Sequence, residues 1–229
     1  MIISDVLLRV FRVQYAGQQG TMFTVEQDGR QYLVSAKHIF ECAQGNFEIE
    51  LYHDNTWKPI RVTLTGHSNS SDISVFAANQ VLTTPELVAE ASCADIYYGQ
   101  DVYFLGFPYG LFGDFPEVNV GYPMPFVKKA ILSMMSTKAD NAMYLDGINN
   151  IGFSGGPVAF VVNGNIKHWR IAGVISGYVS APEVVSDQGR DVGLRYSANT
   201  GLIKASPIND AVSLISDNPN GFLMPLKPS

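Results

Sequence analysis

The sequence predicts an all-β protein. Three observations carry this: apolar residues recur at every second position, turn signals break the chain at short intervals, and helix signals are scarce. Phe47, Ile49 and Leu51 alternate with Glu48, Glu50 and Tyr52, and Ile60, Val62 and Leu64 alternate with Arg61, Thr63 and Thr65. Val102, Phe104 and Gly106 repeat the pattern, as do Trp169, Ile171 and Gly173 around Arg170 and Ala172. Asp28-Gly29, Asp54-Asn55, Asn163-Gly164 and Ser186-Asp187-Gln188-Gly189 mark turns between such runs. Many short strands separated by turns imply a β-sandwich or β-barrel architecture.

Two segments depart from this rhythm. Pro85 to Ala91 reads as a short helix or a connector between two strand-rich halves, which puts a boundary near residue 90 and gives units 1–90 and 91–229. Near the C-terminus, Ser206 is a candidate helix cap and Pro207 suits a first helical position. Ile208, Ala211, Val212 and Ile215 then recur at helical spacing, while Lys227-Pro228-Ser229 reads as a frayed end. No repeat or low-complexity tract appears.

Composition narrows the function classes. The 229 residues are 46% hydrophobic and 16% charged, enough for a sizeable core. The net charge is −6 with no dense Lys/Arg run, so nucleic-acid binding is disfavoured, because a phosphate backbone demands a basic footprint. No stretch is long and apolar enough for a membrane helix. The start, Met1-Ile2-Ile3-Ser4-Asp5-Val6, lacks the basic and apolar regions of a secretory signal, although a chain already freed of an export signal would read the same. Cys42 and Cys93 are too few for a disulfide scaffold; one bridge between them is formally possible, but reduced thiols are the expectation, which together points to a cytoplasmic protein. No histidine or cysteine pair has metal-ligand spacing, so neither a metal nor a cofactor is expected.

The densest chemistry lies in Gly152-Phe153-Ser154-Gly155-Gly156-Pro157. A serine hydroxyl is a poor nucleophile at neutral pH and needs an adjacent base and donors for a developing oxyanion. Glycines around it allow a sharp turn and close approach of backbone N–H groups. Alone, the string is equally a plain turn into the strand Val158–Val162. It also fits the G-x-S-x-G elbow of α/β-hydrolases, but that fold needs a following helix and later acid and histidine partners. Here a β-rich run follows, and the only later histidine, His168, comes too soon.

A base and an orienting acid lie upstream. His38 ends the apolar strand Tyr32-Leu33-Val34-Ser35-Ala36, unlike His53, His67 and His168 in polar or turn-like surroundings. Asp72 directly precedes the apolar Ile73-Ser74-Val75; by itself it reads as an ordinary turn aspartate. As a third group it would fix the imidazole tautomer and stabilise the imidazolium. The chain order His38, Asp72, Ser154 is the order of the His-Asp-Ser template.

On these residues the chain resembles the trypsin/chymotrypsin-like serine proteases, nearer the compact bacterial HtrA-like members than the secreted digestive enzymes. Gly20-Thr21-Met22-Phe23, Ser35-Ala36-Lys37-His38, Asp72-Ile73-Ser74-Val75, Gly99-Gln100-Asp101-Val102, Leu105-Gly106-Phe107-Pro108, the Ser154 turn and Gly173-Val174-Ile175-Ser176-Gly177 match in order. The resemblance covers most of residues 6–210. It implies two six-stranded antiparallel β-barrels with a short C-terminal helix. His38 and Asp72 would come from the first barrel and Ser154 from the second, forming a serine endopeptidase that acts on polypeptide. The backbone N–H groups of Gly152 and Ser154 would form the oxyanion hole. Ser176 falls where the family places a serine near the triad aspartate, and Ser176-Gly177-Tyr178 would offer an edge to an extended substrate. Ile148 and Asn149 fall at the base of the primary pocket, which predicts small or medium hydrophobic side chains, with Tyr178 narrowing it. Asp146 lies near enough to alter that preference if the loop register shifts.

The sequence departs from the family at three points. Phe153 replaces the aspartate that secreted members pair with a newly cut N-terminus, so activation by such a cut is not expected. The usual cysteine immediately after the histidine is missing, and the nearest downstream one, Cys42, is not adjacent. No second peptide-binding (PDZ) domain is expected after the C-terminal helix. Two alternatives stand beside the endopeptidase reading: a catalytically silent or latent double barrel that binds peptide or a protein partner, and a protease that needs an activating partner.

Overall fold

The computed structural model describes residues 4–87, 89–115, 117–135 and 141–225. The extreme N-terminus read as a non-signal start, the frayed end at Lys227–Ser229, and Val88 within the connector lie outside the described residues. After a single helical turn, α1 (Ser4–Leu7), six strands follow: β1 (Val10–Tyr15), β2 (Gln18–Gln27), β3 (Arg30–Ser35), β4 (Asn46–His53), β5 (Thr56–His67) and β6 (Ser74–Ala78). They pair antiparallel in the order β3-β2-β1-β4-β5-β6, and β6 returns to β3, which closes a six-stranded barrel. The turns Ala16-Gly17, Asp28-Gly29 and Asp54-Asn55 hold positive φ at both residues, the backbone that matches the twist of tight hairpins.

The second half begins with β7 (Glu90–Ala91) and continues with β8 (Asp101–Gly106), β9 (Phe126–Met134), β10 (Met143–Asp146), β11 (Pro157–Val161), β12 (Trp169–Asp187) and β13 (Arg190–Pro207). β8 to β13 pair in the order β11-β8-β9-β10-β13-β12, and β11 closes on β12, so this sheet is also a six-stranded barrel. β7 adds in parallel at Arg170 and Ile171. The segment read as a short helix or connector is therefore a turn at Pro85-Glu86 that leads into an edge strand.

Helix α2 (Asn209–Asp217) and β14 (Phe222–Leu223) complete the chain. β14 pairs with β3 and Leu214 of α2 packs against Gly66 of β5, so the C-terminus crosses back to the first barrel. The helix starts later than its sequence suggests: Ile208 is the N-cap, and Ser206 and Pro207 remain in β13. Register explains this, because Ser206 and Pro207 pair with Val174 and Gly173. Among the described residues, no helix is long and apolar enough to cross a membrane. Cys42 and Cys93 are free thiols.

Three apolar clusters hold the fold. One fills the first barrel around Phe11, Met22, Leu33, Phe40 and Phe76. Another fills the second around Phe104, Leu132, Leu145, Phe153 and Phe160. A third, with Phe23, Tyr32 and Val34 from one barrel and Leu105, Trp169, Ile171 and Val174 from the other, lies between them. Strands between two clusters are buried on both faces. That is why Ile171 and Ala172 are both fully buried despite their alternating pattern.

Candidate active site

The barrels meet where β3 ends and β11 begins. After Ser35 the chain tightens into a 3-10 turn, Lys37–Ile39, which carries His38. Asp72 lies just before β6, and because β6 pairs with β3, Asp72 and His38 become neighbours. The Lys37 N–H donates to Asp72 O at 3.3 Å. One carboxylate oxygen, Oδ1, accepts the His38 N–H at 2.8 Å, and the other, Oδ2, lies 2.6 Å from His38 Nδ1. The imidazole side chain is 42% exposed and the carboxylate 26%. The bond to Asp72 raises the His38 pKa above its ordinary value; burial opposes it, and weaker Coulombic attraction to Asp72 and Glu41 adds to the rise.

A polar network fixes the loop that delivers Asp72. Ser68 Oγ accepts the N–H groups of Ser70 and Ser71, and Lys37 Nζ donates to Ser68 O at 2.9 Å. Asp210 in the first turn of α2 accepts from Ser70 Oγ and from Asn141 Nδ2, each at 2.8 Å. The Asp72 N–H donates to Ser206 Oγ at 3.2 Å. Thus the serine bonded to Asp72 is Ser206, which the sequence offers only as a helix cap. Ser176 instead donates to Lys204 O at 3.0 Å. A register shift between Ile175 and Gly177 accounts for this, since a bulge re-aims the side chains around it.

Ser154 sits on a turn held almost wholly by backbone. Its carbonyl accepts the Thr21 N–H at 2.8 Å, and Gly155 N–H donates to Ile175 O at 2.7 Å. Gly155 has φ +84°, and a Cβ there would collide with Thr21 O and Ser35 Oγ. This packs the Ser154 turn against the strand end that leads to His38. Among the described residues no hydrogen bond joins Ser154 Oγ to His38.

The preceding residues, Asn150 to Phe153, form a turn closed by Phe153 N–H to Asn150 O at 3.3 Å. Gly152 has φ +105°, the positive third-residue φ of a type II turn. Ile151 O accepts the Tyr109 N–H at 2.8 Å, and Gly152 O accepts the Thr21 hydroxyl at 2.7 Å. In a trans peptide the carbonyl and N–H point in opposite directions. Tyr109 therefore fixes the Gly152 N–H away from itself. Among the described residues the N–H groups of Gly152 and Ser154 have no acceptor.

Phe153 anchors this turn in the second barrel, fully buried and edge-on to Phe104 at 4.8 Å. Lys128, which sequence reasoning missed, lies over both rings and bonds to Ile148 O and, at 3.2 Å, to Asn150 Oδ1. It braces the loop from the other side, and partial burial lowers its pKa.

The residues expected in the specificity pocket are placed unequally. Ile148 is 58% exposed and Asn149 only 3%. Asn149 Nδ2 donates to Gly177 O at 3.0 Å, its carbonyl accepts Asn199 Nδ2 at 2.9 Å, and its Oδ1 has no partner among the described residues. Asp146 stays in β10, exposed and paired with Leu202. β11 pairs with β12 only as far as Val174, so the edge at Ser176, Gly177 and the exposed Tyr178 carries no strand partner on that side among the described residues.

Two closed six-stranded barrels with these groups between them define the trypsin-like double-barrel fold. Among solved structures the chain is similar to Rv3671c from M. tuberculosis H37Rv, crystallised as an inactive serine-to-alanine mutant. The identity is 14%, the TM-score 0.58, and the match covers 97% of this chain and 89% of that one. A likeness at that identity shows the fold. No family model matches the chain, and no curated protein does either.

Proposed function

We propose that this chain is a serine endopeptidase in which Ser154 is the nucleophile, His38 the general base and acid, and Asp72 the orienting carboxylate. Carrying the reading is the grip of Asp72 on both His38 Nδ1 and the His38 N–H, at 2.6 and 2.8 Å, beside a serine turn with two unbonded N–H groups. In the first step, Ser154 Oγ attacks the scissile carbonyl carbon while His38 Nε2 takes the hydroxyl proton. Asp72 stabilises the resulting imidazolium without taking its proton. The carbonyl oxygen, now negative, accepts from the Gly152 and Ser154 N–H groups. Collapse expels the amine, which receives the proton from His38, and leaves an acyl-serine. Water then repeats the sequence and releases the acid. Ser176, Gly177 and Tyr178 would pair with the acyl side of an extended polypeptide, and Ile148 and Asn149 would border the side chain before the scissile bond. A cytoplasmic setting for this activity is part of the same reading, and the free Cys42 and Cys93 are compatible with it.

Labelling by a fluorophosphonate probe tests the reading. The folded protein forms an adduct at Ser154, and Ser154→Ala abolishes labelling and lowers turnover on the order of 10⁶-fold. An unlabelled Ser154 in folded protein overturns it. A second reading draws on the lack of a Ser154–His38 hydrogen bond among the described residues: a latent double barrel that binds peptide and becomes active with a partner. Labelling that appears only on addition of a peptide or protein partner would select it.

A further inference from the structure

Beside the oxyanion turn, Arg12 of β1 lines a cavity of ≈ 110 Å³ together with Gln19, Phe107, Tyr109, Ile151 and Gly152. Its guanidinium lies 4.9 Å from the ring centres of both Tyr52 and Trp57 and 6.0 Å from that of Phe112. Stacking of this kind fixes the plane of an arginine and leaves its N–H edge available. Among the described residues, one of the five N–H donors of Arg12, on Nη2, has a hydrogen-bond partner, Gln19 Oε1 at 3.0 Å. Among the described residues no carboxylate lies within ion-pair distance of Arg12. That is notable in a chain with 21 acidic residues against 15 lysines and arginines. Partial burial lowers the Arg12 pKa, so the guanidinium is partly withdrawn from solvent.

The cavity also lies on a defined side of the reaction. Asn149 bonds to Gly177, so the residues before the oxyanion turn face the edge assigned to the acyl side of the substrate. Ile151 and Gly152 face the Arg12 cavity instead, and its wall at Gly20 approaches the Ser154 carbonyl. A polypeptide passing Ser154 therefore leaves the oxyanion turn towards Arg12 on its leaving-group side.

We infer that Arg12 is a carboxylate-binding residue on the leaving-group side of the cleft, which selects polypeptides with an acidic group one or two residues after the scissile bond. The inference rests on the endopeptidase reading for its direction, but not for the binding itself. Side-chain carboxylates of Asp or Glu and the free C-terminal carboxylate of a short leaving peptide share the chemistry that a planar guanidinium fork recognises.

The experiment uses the full chain carrying Ser154→Ala, which binds without turnover, and a randomised peptide library in paired free-acid and amide forms. Expected is enrichment of Asp and Glu at one position, or of the free acid over the amide, by about tenfold or more. That enrichment disappears in Ser154→Ala/Arg12→Gln. It survives only in part in Ser154→Ala/Arg12→Lys, which keeps the charge and loses the fork. Enrichment at an internal position identifies a side-chain carboxylate, and preference for the acid form identifies a C-terminus. Equal thermal melting of the three proteins excludes a folding defect. No acid enrichment, or enrichment unchanged by Arg12→Gln, overturns the inference. Fluorophosphonate labelling of the parent chain reports separately on the endopeptidase reading, so either can fail while the other stands.

Discussion

The two halves of the candidate site are held by different forces. On the first barrel, His38 and Asp72 are partly exposed and are joined by side-chain hydrogen bonds that depend on charge. On the second, Ser154 and Gly152 are fixed by backbone hydrogen bonds, by close approach at glycine and by the buried Phe153 ring. The His38–Asp72 half should respond to pH and to loss of charge, whereas the Ser154 half should respond to added volume. Each form of support suits its task. A proton relay must change charge during turnover, and an oxyanion site must not move while charge develops.

Substitutions separate the two. The largest effect is expected from Asp72→Asn, which keeps the shape and removes the charge. Turnover should fall on the order of 10⁴-fold, and the downfield NMR signal of the His38 Nδ1 proton should vanish, while fold and melting behaviour change little. A small loss of turnover with the signal intact would mean that the carboxylate does not orient the imidazole. Gly152→Ala should act on the other half. A Cβ at φ +105° would collide with Phe107 O, so the Ile151–Gly152 peptide must move and the oxyanion donor is lost. A fall of about 10²–10³-fold in turnover is expected, with the His38 proton signal retained. Loss of that signal in Gly152→Ala would break the comparison, because it would show the halves to be mechanically coupled.

The smallest effect comes from pH, and its sign follows from His38. Its folded pKa lies above the ordinary 6.5, so the folded protein holds this proton more tightly than the unfolded chain. The stabilisation is complete below about pH 6.5 and is lost as pH rises through the raised folded pKa. The proposed activity should run in the opposite direction, because only neutral imidazole can accept the serine proton. The acid limb of kcat/KM should thus have its midpoint above 6.5, while melting temperature declines slightly over the same interval. Rate and melting profiles measured together check this, and a limb below 6.5 would contradict the charge coupling.

Much of this architecture was legible in the residues. Period-two runs at Phe47–Leu51 and Ile60–Leu64 became β4 and β5, and Asp28-Gly29 and Asp54-Asn55 became tight hairpin turns. His38 and Asp72, far apart in the chain, are in contact, as the resemblance implied. The helix start was misplaced, because the cap propensity of Ser206 was overridden by strand pairing with Val174. The supports at Lys128, Asp210 and Ser206 were invisible, since each acts across a sequence distance that no local pattern records.

The sequence by itself determined the periodicity, the turns and the residue types that nucleophilic hydrolysis requires, because backbone propensity and functional-group chemistry are local properties. Tertiary structure alone decided which serine meets Asp72, which way the Ile151–Gly152 peptide faces, and that Arg12 stands beside it with no carboxylate partner among the described residues. Those outcomes depend on register and on barrel closure: a single bulge between Ile175 and Gly177 accounts for Ser176 bonding to Lys204, leaving the contact with Asp72 to Ser206.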